Sequence, residues 1–184
     1  MIQTTLPKKI LEQYMSPYFF ETGTADGDAV RLALEVGYEK IFTIEIDENL
    51  YKKNCELFKK EIDEGRVLMF LGDTLKIMDN IVLNYIDKKC TFWLDAHQDH
   101  GPGGVKRCPL MEELNYIRLK KDLEHTILID DRRMFGQKIG DREWWGTFIN
   151  ENDVINSLKE LNEKYVITLE DSNNFQRDII CARI

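Results

Sequence analysis

The chain has 184 residues, 43% hydrophobic and 32% charged, with a net charge of −8. That is the composition of a globular protein with one sizeable core. The negative balance excludes a large basic surface for nucleic acid or an anionic membrane, and no apolar stretch approaches the ~20 residues of a membrane span.

A short lead-in helix is expected over 7–16, after Pro7. Short apolar runs at 18–22, 40–46, 66–71, 90–95 and 126–131 read as strands. Helical patterns at 27–37, 48–61, 74–86 and 109–121 separate them, with Asp47, Thr74 and Pro109 as helix-start residues. Alternation at this spacing implies a mostly parallel sheet with helices on both faces. A helix over 152–162 follows. Two strands, 165–169 and 178–182, then flank Asp171-Ser172-Asn173-Asn174 and read as an antiparallel hairpin. The expected architecture is a Rossmann-like three-layer α/β/α sandwich forming one domain over 1–184, with 1–16 as its lead-in segment. Ligands of such sheets bind beyond the carboxyl ends of the strands, where strand order reverses.

The four cysteines, Cys55, Cys90, Cys108 and Cys181, are scattered and form no Cys-x-x-Cys pair. They read as reduced core thiols. With no apolar N-terminal run resembling a signal peptide, a reducing cytoplasm is the expected compartment.

The motifs fall at strand ends. Phe19-Phe20-Glu21-Thr22-Gly23-Thr24-Ala25-Asp26-Gly27 is an apolar run, an acidic residue and a glycine turn opening a helix. A dinucleotide fingerprint would place glycines at Gly23, Ala25 and Asp28, and two of those three fail. Asp26 and Asp28 near the helix start also disfavour phosphate, so a cationic or neutral nucleoside fits better. Glu45 ends the second strand, where a carboxylate accepts hydrogen bonds from a ribose diol.

The Glu-x-Gly-x-x-x-Gly pattern of Glu21, Gly23 and Gly27 resembles the first motif of class I S-adenosylmethionine-dependent methyltransferases. Ile44-Glu45-Ile46-Asp47 resembles the second, Leu71-Gly72-Asp73-Thr74 the third, and Phe92-Trp93-Leu94-Asp95 the segment beside the methyl donor. The resemblance covers roughly residues 15 to 183. It implies that Glu21, Gly23, Thr24, Ala25 and Gly27 cradle the methionine part and Glu45 and Ile46 the ribose. Asp73 and Thr74 would meet the adenine, and Asp95 would stand beside the donor. Asp47 reads as a helix cap.

The second half parallels the divalent-metal-dependent O-methyltransferases of the catechol type. There, an Asp at the fourth strand end and an acidic-amide pair at the fifth bind magnesium; Asp95, Asp130 and Asp131 occupy those positions here. Three carboxylates at neighbouring strand ends suit Mg2+ or Mn2+. The catalytic lysine of those enzymes is replaced by Gln98, which leaves His97 as the nearest base. The resemblance implies O-methylation of a hydroxylated small molecule or sugar, with Asp95 and His97 as catalytic groups. A homodimer, no nucleic acid and no membrane partner complete the expectation.

Two other readings stand beside it. Asp95-Ala96-His97-Gln98-Asp99 resembles the metal motif of ureohydrolases, and His97-x-Asp99-His100 the metallo-β-lactamase core. Both need more ligands than three histidines allow, and His125 precedes a strand running away. A non-catalytic module binding the same nucleoside is the other. The loops expected to set acceptor choice are Gly101–Cys108 and Arg132–Asn150, including Trp144-Trp145.

Overall fold

The computed structural model of the chain describes residues 4–97, 108–139 and 142–184. Helix α1 (Lys8–Gln13) leads to β1 (Tyr18–Thr22), α2 (Asp28–Val36), β2 (Lys40–Glu45), α3 (Glu48–Leu57), α4 (Lys59–Asp63), β3 (Val67–Leu71), α5 (Thr74–Tyr85) and β4 (Cys90–Leu94). Then come α6 (Leu110–Ile117), a 3-10 segment (Arg118–Leu123), β5 (Thr126–Ile129) and a second 3-10 segment (Arg132–Met134). The short ladder β6 (Lys138–Ile139) and β7 (Arg142–Glu143), α7 (Glu151–Leu161), β8 (Val166–Glu170) and β9 (Ile179–Arg183) close the order.

Seven strands form one sheet in the order β3-β2-β1-β4-β5-β9-β8. β1 to β5 are parallel to one another, while β9 runs antiparallel to both β5 and β8. The expected three-layer sandwich with a C-terminal antiparallel hairpin is the observed fold. Strand order reverses between β1 and β4, which opens a crevice at their carboxyl ends.

Alternation along each strand explains why these runs are apolar throughout. Phe20, Phe42, Phe92 and Ile127 pack on one face with residues of α5, α6 and α7. Phe19, Ile41, Trp93 and Leu128 pack on the other with α1 and α2. A strand buried on both faces needs no polar alternate.

Several boundaries differ from the sequence expectation. The helix expected over 48–61 breaks at Phe58 (φ −105°, ψ 21°), whose ring is buried in the core. The helix expected over 109–121 tightens into the 3-10 segment and stops at Glu124 in the left-handed region. The hairpin connection is longer than the four-residue turn, since β8 ends at Glu170 and β9 begins at Ile179. Asn173 in it donates from its backbone to Thr5 O (2.8 Å) and from its side chain to Thr4 O (2.8 Å) and Leu6 O (3.2 Å). The N-terminal segment is thereby stitched to the hairpin. Among the described residues no helix is long and apolar enough to cross a membrane.

Candidate functional site

The turn after β1 is built on two glycines. Gly23 (φ +83°) donates its N–H to Ile44 O at 3.0 Å, and a Cβ there would stand 3.4 Å from Ala96 Cα, against the loop after β4. Gly27 (φ +77°) starts α2, where a Cβ would meet Asn54 Oδ1 at 2.5 Å and the Phe58 ring at 2.7 Å. Between them Ala25 also adopts a positive φ of 47°. Its N–H donates to Glu45 Oε2 (2.8 Å) and its carbonyl accepts from Asn54 Nδ2 (2.7 Å). Glu45 Oε1 accepts from the Asp47 N–H at 2.8 Å. Asp47 caps α3 as expected, accepting from the Asn49 and Leu50 N–H groups.

These elements wall a cavity of about 290 Å3 at the carboxyl ends of β1, β2 and β4. Gly23, Ala25, Glu45, Ile46, Asp73 and Thr74 line it, with Asp95 and His97 at one end. Asp73 also caps α5 through the Leu75 N–H at 3.1 Å. A second cavity of about 280 Å3 shares Gly23, Ala25 and Asp95 with the first, and adds Thr5, Glu21 and Trp93. Together they reach the ordinary range for small-ligand sites, about 300–1,000 Å3.

Glu21 is buried and accepts from the Thr43 hydroxyl at 2.8 Å. Burial, reinforced by the Glu45 and Asp28 charges and opposed by that hydrogen bond, pushes its carboxyl up to about 8. Two of the residues expected around the ligand also serve the turn itself. The Thr24 side chain is buried, shares a 2.5 Å hydrogen bond with the Thr43 hydroxyl and reaches only the second cavity. Gly27 lines neither cavity, because α3 and Phe58 press against it.

The carboxylates divide differently from the expected Asp95, Asp130 and Asp131 set. Donor atoms of Asp95, His97 and Asp131 lie within 4.8 Å of one another, whereas Asp130 groups with Asp131 and Asp178. The cause is the backbone at the end of β5. Asp131 takes a left-handed conformation (φ 57°), and Asp130 Oδ2 accepts from the Thr5 hydroxyl of the N-terminal segment. Arg133 Nη1 pairs with Asp131 Oδ1 at 2.6 Å and with Asp178, and its guanidinium lies 4.0 Å over the Phe175 ring. His97 Nδ1 stands 3.8 Å from both Asp95 Oδ1 and Asp131 Oδ2, and its ring stacks on Trp145 at 4.4 Å. Burial first, then the charges of Asp130 and Asp131, raises the Asp95 carboxyl well above its ordinary range. Burial and the Asp131 charge bring Asp130 to about 7.

Glu113 on α6 is a site residue that motif reasoning missed. It is buried, and burial pushes it to about 8. Its signal was present in the sequence, since Leu110, Glu113, Leu114 and Ile117 share one buried helix face. His125 sits at the amino end of β5. It is buried there, accepting from the Cys90 N–H (3.1 Å) and standing edge-on to Phe92, and burial lowers it to about 4. It takes no part in the cluster. Gln98, Asp99, His100 and the Gly101-Pro102-Gly103-Gly104 stretch lie outside the described residues. The four cysteines are free thiols.

No family model and no curated protein sequence matches the chain. Solved structures do. The O-methyltransferase TomG of Streptomyces achromogenes, in complex with SAM, is 12% identical with a TM-score of 0.60, over 96% of this chain and 77% of that one. An O-methyltransferase from Bacillus cereus in complex with SAH is 13% identical with a TM-score of 0.57, over 96% and 78%. A candidate methyltransferase from Streptococcus mutans in complex with SAH is 15% identical with a TM-score of 0.60, and both chains are covered completely. The fold of this chain is that of the class I methyltransferases.

Proposed function

We propose that the protein is an S-adenosylmethionine-dependent methyltransferase acting on a hydroxyl oxygen of a small molecule or sugar. The observation that carries the reading is the cavity in which Gly23, Ala25, Glu45, Asp73 and Asp95, drawn from four motifs, meet around one space. Glu45 has both oxygens fixed by backbone N–H groups, which leaves further lone pairs for a ribose diol. Asp73 and Thr74 stand where an adenine edge would lie. The second cavity, bounded by Glu21 and Asp95, would take the methionine part, whose ammonium and sulfonium suit carboxylates.

Methyl transfer is an in-line displacement. The acceptor oxygen bonds the methyl carbon as the sulfur–carbon bond breaks, the hydroxyl proton passes to water, and S-adenosylhomocysteine remains. The donor is already activated, so the chain supplies alignment and exclusion of water. Asp95 and His97 flank the place where acceptor and donor would meet. The residues present fit a divalent cation at Asp95, His97 and Asp131, and a bound cation would lower the acceptor hydroxyl's pKa.

Calorimetry of the purified protein with S-adenosylhomocysteine, with and without Mg2+, tests the reading. One site per chain is expected. Absence of binding under both conditions would overturn it, and binding without methyl transfer to any hydroxylated acceptor would favour a non-catalytic module.

A further inference from the structure

Between the ends of β4 and β5 lies a void of about 10 Å3. That is room for about one water or one ion. Asp95, His97 and Asp131 border it, each with a donor atom within 4.8 Å of the others. Asp130 and Glu113 border it too, and among the described residues each has a buried oxygen with no hydrogen-bond partner, Asp130 Oδ1 and Glu113 Oε1. Buried carboxylate oxygens without donors are costly unless something positive fills the space they share.

The separations favour an ion over direct hydrogen bonds. At 3.8 Å, His97 Nδ1 is beyond hydrogen-bond reach of either Asp95 or Asp131. Two ligands held about 2.1–2.3 Å from one ion stand roughly 3–3.8 Å apart. The Trp145 ring, stacked on the imidazole at 21°, fixes the plane in which Nδ1 presents its lone pair.

We propose that Asp95, His97 and Asp131 bind one divalent transition-metal cation, with His97 as a ligand rather than a base. The expected set of carboxylates alone would suit Mg2+ as well as Mn2+. An imidazole nitrogen with two carboxylates selects Mn2+, Fe2+, Co2+ or Zn2+ over Mg2+. Asp130, held by Thr5, stands beside the donor set without joining it. The cation's role in methyl transfer rests on the methyltransferase reading; its binding does not.

The test is Mn2+ titration of the full, tag-free chain, followed by electron paramagnetic resonance. One Mn2+ per chain is expected, with a nitrogen-14 coupling from imidazole and affinity for Mn2+ at least about tenfold above that for Mg2+. His97→Ala is expected to abolish the coupling and weaken Mn2+ by about tenfold or more. Asp131→Asn gives a second check by weakening Mn2+ while keeping the coupling. Unchanged Mn2+ affinity in His97→Ala, no nitrogen coupling in the parent protein, or Mg2+ binding as tightly as Mn2+ would each overturn the proposal. Failure of the parent chain to bind S-adenosylhomocysteine while the nitrogen coupling is present would sink the methyltransferase reading and leave the metal site standing.

Discussion

The backbone N–H of Ala25 donates to Glu45 Oε2 at 2.8 Å, which ties the turn after β1 to the end of β2. A left-handed alanine costs about 1 kcal/mol or more. The Glu45 carboxylate and the Asn54 amide hold it there from both ends of the residue. Glu45 therefore shapes the cavity wall as well as presenting its charge.

Glu45→Gln places an amide NH2 where one of two backbone N–H groups now finds an acceptor. S-adenosylhomocysteine affinity is expected to fall about 10–100-fold, that is by roughly 1.4–2.8 kcal/mol. Calorimetry reads this directly, and affinity equal to the parent would rule out Glu45 as the ribose ligand.

Gly27→Ala forces a side chain into Asn54 and Phe58 at a positive φ. The expected cost is about 1–3 kcal/mol of folding stability. Urea denaturation should show the midpoint moving down. An unchanged midpoint would mean that α3 can shift away from the turn.

Glu21 gives a pH signature. Its carboxyl titrates near 8 in the folded chain against an ordinary 4.5, chiefly because it is buried. Above pH 4.5 the unfolded chain releases a proton that the folded chain keeps. The stabilisation is thus complete below 4.5 and lost as pH rises through 8. Glu21→Gln removes this dependence. Its stability relative to the parent, from urea melts at pH 5 and pH 8, should rise with pH; parallel profiles would contradict the assignment.

Arg133 neutralises Asp131 and the buried Asp178. Arg133→Met leaves those charges uncompensated, at a cost of roughly 2 kcal/mol once the partial exposure of the arginine is allowed for. Mn2+ should then raise the melting temperature of the variant more than that of the parent, because a cation at Asp131 replaces the lost charge. Equal shifts in both proteins would count against Asp131 as a ligand.

The sheet and the glycine-turn half of the candidate site were legible because their causes are local. Apolar runs mark strands buried on both faces, and Glu45, Asp73 and Asp95 sit at strand ends whatever the distant contacts. The carboxylate half was less so. Asp130 and Asp131 are neighbours, and which of them faces Asp95 depends on the turn at Asp131. The Arg132 N–H donating to Asp178 O at 2.9 Å, from the far hairpin, braces that turn. The break at Phe58 likewise answers to packing under Gly27, and the buried acid of Glu113 shows only as a glutamate in phase with leucines.

The hydrogen bond from Thr5 to Asp130 joins positions 125 residues apart. The cavity wall formed by Gly23, Ala25, Glu45 and Asp73 draws on the contiguous stretch from β1 to α5 and is expected to form early in folding. The carboxylate cluster around Asp130, tied to Thr5 and through Asn173 to the last hairpin, is expected to form later. Hydrogen exchange during refolding would show amides around Ala25 protected before those around Asp130, and a divalent ion would accelerate only the later phase.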